Sequence, residues 1–154
     1  MSKIPDSVAD FLGGKRIAVA GVSRDHQQVA NAILIRLRNS GHDVIPVNPH
    51  ASELEGVRCY PDLTAIPGQV DGLMIATHPD VATDLVRQCS QRGIRQVWFH
   101  RGFGMGSVSN EAVREAKALG LQCITGGCPL MYCEPVDPFH RCLRGWLHWR
   151  HRIP

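Results

Sequence analysis

The sequence predicts an α/β protein of three layers, α/β/α, with a mostly parallel sheet of five or six strands and an appended C-terminal helix. Three observations carry this. Short aliphatic, β-branched runs recur along the chain, stretches of helical periodicity separate them, and glycines close those stretches. At 154 residues the chain has the size of one domain and can bury roughly 70% of the surface it exposes unfolded. No repeat, low-complexity tract or linker divides it. Residues 1–154 are therefore expected to form a single domain, with a core over about 12–134 and a helical tail over about 138–154.

The first strand is expected at Arg16 to Ala20. Val29, Ile33, Leu34 and Leu37 then fall on one helical face, and Ser40-Gly41 stops that helix. The second strand runs from Asp43 to Val47. Between Pro49 and Gly72 the pattern weakens to a short strand near Val57 to Cys59 and a single-turn helix from Asp62 to Ile66. The third main strand, Gly72 to Ile75, leads to Pro79 near a helix start, with Val81, Leu85, Val86 and Cys89 on one face and Gly93 as the stop. A strand at Gln96 to Phe99 follows. Asn110 is expected to cap the next helix, whose face is Ala112, Val113, Ala116 and Leu119, before Gly120 and a strand at Gln122 to Ile124. The tail helix is placed at Pro138 to Trp149.

With 44% hydrophobic and 20% charged residues the composition is globular and excludes a disordered chain. No basic start precedes an apolar run, and no stretch approaches the roughly 20 apolar residues a bilayer requires. A cytoplasmic protein without a membrane partner is expected. The six cysteines lie mostly in or beside predicted strands and helices, so free thiols are expected rather than a disulfide framework. The net charge is +3, and the last fifteen residues hold Arg141, Arg144, Arg150 and Arg152 and no acid, so the body is close to neutral and the tail is basic.

Ligands of open parallel sheets sit outside the carboxyl ends of the strands. The first such loop, Gly21-Val22-Ser23-Arg24, offers backbone N–H groups, a hydroxyl and a guanidinium to a phosphate. Alternatively Gly21 only serves a tight turn. The second strand ends in Val47-Asn48-Pro49-His50, where proline presents a flat apolar surface to a base. Three glycines in the first loop and an acid after the second strand, the marks of an NAD site, are missing, and so is a P-loop. The third loop, Ala76-Thr77-His78-Pro79, and the fourth, His100-Arg101-Gly102, add hydrogen-bonding groups and positive charge to the same rim. A nucleotide-like ligand, adenine-containing but not NAD, fits these loops.

The Gly21 to Arg24 loop, Val47-Asn48-Pro49, Cys59-Tyr60-Pro61-Asp62-Leu63, Trp98-Phe99-His100-Arg101-Gly102 and Cys128 resemble the small bacterial CoA-binding domain proteins. That family is similar to the N-terminal domain of the succinyl-CoA synthetase alpha subunit. The resemblance covers roughly residues 12 to 134 and implies a Rossmann-like fold that binds CoA or an acyl-CoA without catalysis of its own. It implies phosphate held at Gly21, Val22, Ser23 and Arg24, adenosine framed by Asn48 and Pro49, and further contacts from Thr77, His78 and Pro79. Synthetase-related members often place a lysine after Asn-Pro, where this chain has His50, mostly uncharged at neutral pH. The synthetase's phosphohistidine belongs to a domain with no counterpart here.

Three other readings compete. Cys128, after Gly126-Gly127, would expose its sulfur on the rim near a helix start and act as a reactive thiol toward CoA, or it simply packs beneath the loop. Cys133, His140, Cys142, His148 and His151 lack the spacing of a zinc site, so no metal is expected. The tail's Trp146, Trp149 and arginines would suit a nucleic acid or a regulatory partner, but docking of the tryptophans on the body or on a second subunit, with the arginines in water, is the preferred reading. Nucleic acid is not the expected partner, and a homodimer is left open.

Overall fold

The structure, a computed structural model, describes residues 4–101 and 106–153. Its centre is a parallel sheet of β1 (Arg16–Ala20), β2 (Asp43–Val47), β5 (Gly72–Ile75), β6 (Gln96–Phe99) and β7 (Gln122–Thr125), in the order β2-β1-β5-β6-β7. The first four match the expected strands, and the last runs one residue further. Two short strands, β3 (Glu53–Leu54) and β4 (Val57–Arg58), form a separate antiparallel hairpin.

Strand periodicity divides the core in two. Ile17, Val19, Val44, Met74, Trp98 and Ile124 face α1 (Asp6–Gly13), α2 (Val29–Asn39) and α5 (Pro138–Trp149). The alternate residues Ala18, Ala20, Ile45, Leu73, Ile75 and Phe99 face α3 (Ala82–Arg92) and α4 (Asn110–Ala118). This is the expected three-layer, Rossmann-like arrangement. Strands covered on both faces need continuous apolar runs, which is why these segments read so clearly.

Helix α1 was not foreseen. It buries Val8 and Phe11, and the Phe11 ring meets Trp98 edge-on at 5.3 Å. Gly72 makes room for it, since a Cβ there would lie 2.8 Å from the Phe11 ring.

Several local expectations need correction. Asp62 to Ile66 is a turn, not a helix: Asp62 Oδ1 accepts from Thr64 Oγ1 and from the Ala65 N–H, and Pro67 disfavours helical backbone at Ile66. Ser109, not Asn110, caps α4, its hydroxyl accepting from the Ala112 N–H. Val29, Val81 and Leu119 lie at the ends of their helices, where curvature takes them off the core, and are exposed. Helix α5 sits where expected but docks through Leu143 and Leu147, while Trp149 is 72% exposed. Its arginines are not all in water, because Arg144 donates to the Met131 carbonyl and lies over the Tyr132 ring. No helix among the described residues is long and apolar enough to cross a membrane.

Candidate functional site

Strand order reverses beside β1, which places the switch point between the carboxyl ends of β1 and β5. Gly21 stands there at φ 107°, and a Cβ on it would lie 2.2 Å from the Ala76 carbonyl oxygen. Both the conformation and the close approach of the two loops demand glycine. The turn reading of Gly21 is therefore correct, and it is the turn that brings the loops together.

Beyond Gly21 the loop is held by side chains. Asn31, fully buried on α2, accepts from the Ser23 N–H at 3.1 Å and donates to the Ser23 carbonyl at 2.8 Å. The Ser23 N–H is thus committed and is not offered to a phosphate. Asn31 also donates to Glu55 at 2.7 Å, and Glu55 pairs with His26 at 2.7 Å. These bonds, Asn31's first, hold the Glu55 carboxyl below its ordinary pKa, and Glu55 holds the His26 imidazole above its own. Sequence reasoning missed Asn31; a buried asparagine within an aliphatic helix face was its only signal.

Asn48 ties the first two loops. Its amide donates to the Val22 carbonyl at 2.9 Å and its oxygen accepts from the His50 N–H at 2.8 Å. Arg24 completes the tie by donating to the His50 carbonyl at 2.8 Å, one of its five N–H donors. Pro49 and His50 are exposed on the rim.

On the third loop Thr77 is half-buried, and its carbonyl accepts from Ser107 Oγ at 2.6 Å. Ser107 is buried and links the third loop to the segment after β6. His78 is exposed, pairs with Asp80 at 3.1 Å and caps the short helical turn that begins at Pro79. Arg101 donates its N–H to the Gly127 carbonyl at 3.1 Å, further along the rim. Gly102 lies outside the described residues. The rim thus gathers Gly21 to Arg24, Asn48 to His50 and Thr77 to Pro79 into one half, with Arg101 in the other.

A mainly apolar cleft of about 390 Å³ opens over the first half, lined by Ala20, Val47, Pro49, Thr77, Val81 and Leu85 among others. Its size falls within the usual range for small-molecule sites. A larger depression, about 700 Å³, lies at the amino ends of the strands among Asp10, Lys15, Asp71 and Arg95. That edge is open and polar, and no crossover reverses there, so we assign the site to the cleft.

Cys128 does not present a thiolate. It is 2% exposed, and burial pushes its pKa up to about 12, as it does for Cys89. The three-residue turn that follows is too short to offset that desolvation. The packing alternative is the correct one. All six cysteines are free, and no metal-holding cluster of His, Cys, Asp and Glu occurs among the described residues.

A doubly wound sheet with a ligand-sized cleft at its switch point defines a Rossmann-like binding protein. The sequence profile of the CoA binding domain family matches residues 15–134, and the chain belongs to that family. It is 30% identical over 110 residues to the alpha subunit of an ADP-forming acetate–CoA ligase II from Pyrococcus furiosus, covering 71% of this chain and 24% of that one. It is 33% identical over 94 residues to an ADP-forming acetate–CoA ligase II from Archaeoglobus fulgidus, covering 60% of this chain and 14% of that one. The chain therefore spans between about a seventh and a quarter of these relatives. Among solved structures, a hypothetical protein from Pyrococcus horikoshii OT3 superposes with a TM-score of 0.75 at 26% identity, covering 94% of this chain and all of that one.

Proposed function

We propose that this chain is a recognition module for CoA or an acyl-CoA, with the adenosine end in the cleft over β1, β2 and β5. The observation that carries the reading is the placement of that apolar cleft at the switch point, beside an arginine tied to the residue after Pro49. Adenine lies between Pro49 and the Val81-Leu85 side of the cleft, where flat apolar surface is offered. Arg24 has donors left for the phosphates, and His50 stands at the position suited to a ribose phosphate. Thr77, His78 and Pro79 form the wall that the pantetheine arm must pass. The buried Cys128 supports binding rather than thiol chemistry.

Calorimetric titration with CoA, dephospho-CoA and NAD tests this. CoA should bind saturably, NAD should not compete, and Arg24→Ala should weaken CoA about tenfold, the effect of losing ~1.4 kcal/mol of charge-assisted contact. Absence of heat with CoA would overturn the proposal.

A further inference from the structure

We propose that the niche at the carboxyl ends of β6 and β7 receives a negatively charged acyl terminus, so that thioesters ending in a carboxylate are preferred to neutral ones. The inference rests on the CoA reading above and names the substrate class for the same rim.

The niche has a volume of about 380 Å³ and is lined by Arg101, Thr125, His151, Arg152 and Ile153. Two guanidiniums, an imidazole and a hydroxyl converge there, and no acid is among the lining residues. Burial, and then the neighbouring Arg152, lower the pKa of Arg101. Like charges brought together in a half-buried setting disfavour one another, and an anion between them relieves that cost. A carboxylate suits the planar fork of a guanidinium in two-point contact.

The fold positions these groups at long range. Helix α5 ends at Arg150, His151 takes φ 52°, and the Arg152 N–H donates back to the Leu147 carbonyl at 3.0 Å. This reversal lays the chain end on Gly126-Gly127. A Cβ on Gly126 would lie 2.4 Å from the Arg152 carbonyl, and one on Gly127 would lie 3.4 Å from Ile153. The Gly126 carbonyl accepts from the buried Trp98 indole N–H at 2.8 Å, and the Gly127 carbonyl from the Arg101 N–H at 3.1 Å. The same two glycines therefore seat both arginines.

The reach is right. From β1 to β7 the sheet advances three strands, roughly 14 Å at about 4.8 Å per step. A pantetheine arm has the backbone length of about four extended residues, also roughly 14 Å. With adenosine over β1 and β2, the thioester end arrives over β6 and β7.

The test is a comparison of succinyl-CoA with butyryl-CoA, which has the same chain length without the terminal carboxylate, by calorimetry on the full chain. Succinyl-CoA should bind about tenfold more tightly, the size of one charge-assisted hydrogen bond. Arg152→Gln should bring the ratio near one, and Arg152→Lys should retain most of it, with melting curves confirming that both fold. Equal affinities in the unaltered protein would overturn the proposal without touching the CoA reading, and need no variant. If Arg152→Gln weakens CoA but leaves dephospho-CoA unaffected, the niche holds the nucleotide's 3′-phosphate and the acyl assignment is wrong. If CoA and both thioesters fail to bind, the CoA reading falls and this inference with it.

Discussion

The two halves of the ligand rim are built in different ways. Over β2, β1 and β5 the loops are fastened by short polar side chains close in sequence: Asn31 holds Ser23, Asn48 holds Val22, and Arg24 holds His50. Over β6 and β7 the rim is finished by the far end of the chain, which folds back so that Arg152 and Ile153 rest on Gly126 and Gly127. The first half is a stiff frame whose hydrogen bonds are mostly used on itself. The second places charge beside a surface that a moving tail can uncover. A frame of the first kind suits the invariant nucleotide, and one of the second kind suits the part of a ligand that varies.

Gly21→Ala should break the first half outright. It adds strain at φ 107° and sets a methyl 2.2 Å from a backbone carbonyl that belongs to the neighbouring strand end. A cost of about 3 kcal/mol in denaturant unfolding is expected, with loss of CoA binding. A cost near zero would show that the two loops are not clamped.

Asn31→Ala tests the same half more gently. It leaves the Ser23 N–H and carbonyl without their partner beside a buried helix face. Unfolding free energy should fall by about 2 kcal/mol, and CoA should bind more weakly because the loop loses its preset shape. Stability lost without any change in CoA affinity would separate the frame from the site.

The core strands were legible because burial on both faces writes an unbroken apolar run, and the helix stops because Gly93 and Gly120 take left-handed backbone. The rim residues were legible by position alone, since strand ends were known once strands were. Their roles were not. Asn48 suggests a base contact in sequence yet spans two loops in space, and Ser23 suggests a phosphate donor yet gives its N–H to Asn31. The niche was invisible for a different reason: residues 126 and 152 meet only through the docking of α5, and no local pattern records a contact that distant. The same holds for Asp62 to Ile66, where an aspartate that bonds its own neighbours competes with the helix its Pro-Asp start announces.

Gly126→Ala probes the second half at smaller cost. Its methyl would meet the Arg152 carbonyl, but that carbonyl lies near the chain end and can move away. About 1 kcal/mol of destabilisation is expected, with the preference for succinyl-CoA reduced more than affinity for CoA itself. A cost equal to that of Gly21→Ala would mean that the tail is as rigid as the frame.

The smallest effect concerns the His26–Glu55 pair at the outer edge of the frame. Glu55 titrates below its ordinary 4.5 in the folded protein, chiefly through the Asn31 amide, so its contribution is present above pH 4.5 and is lost as pH falls through the lowered value. His26 titrates above its ordinary 6.5, chiefly through its bond to Glu55, so its contribution is full below pH 6.5 and is lost as pH rises through the raised value. Both are charged between about pH 4.5 and 6.5, and the tie is strongest there. Because His26 is exposed and salt screens such pairs, unfolding curves are too coarse a probe. Proton NMR of the His26 ring should give a midpoint above 6.5 that returns toward 6.5 in Glu55→Gln and at high salt. A midpoint already at 6.5 in the unaltered protein would mean that Asn31 alone holds Glu55, and that the frame ends one residue pair earlier.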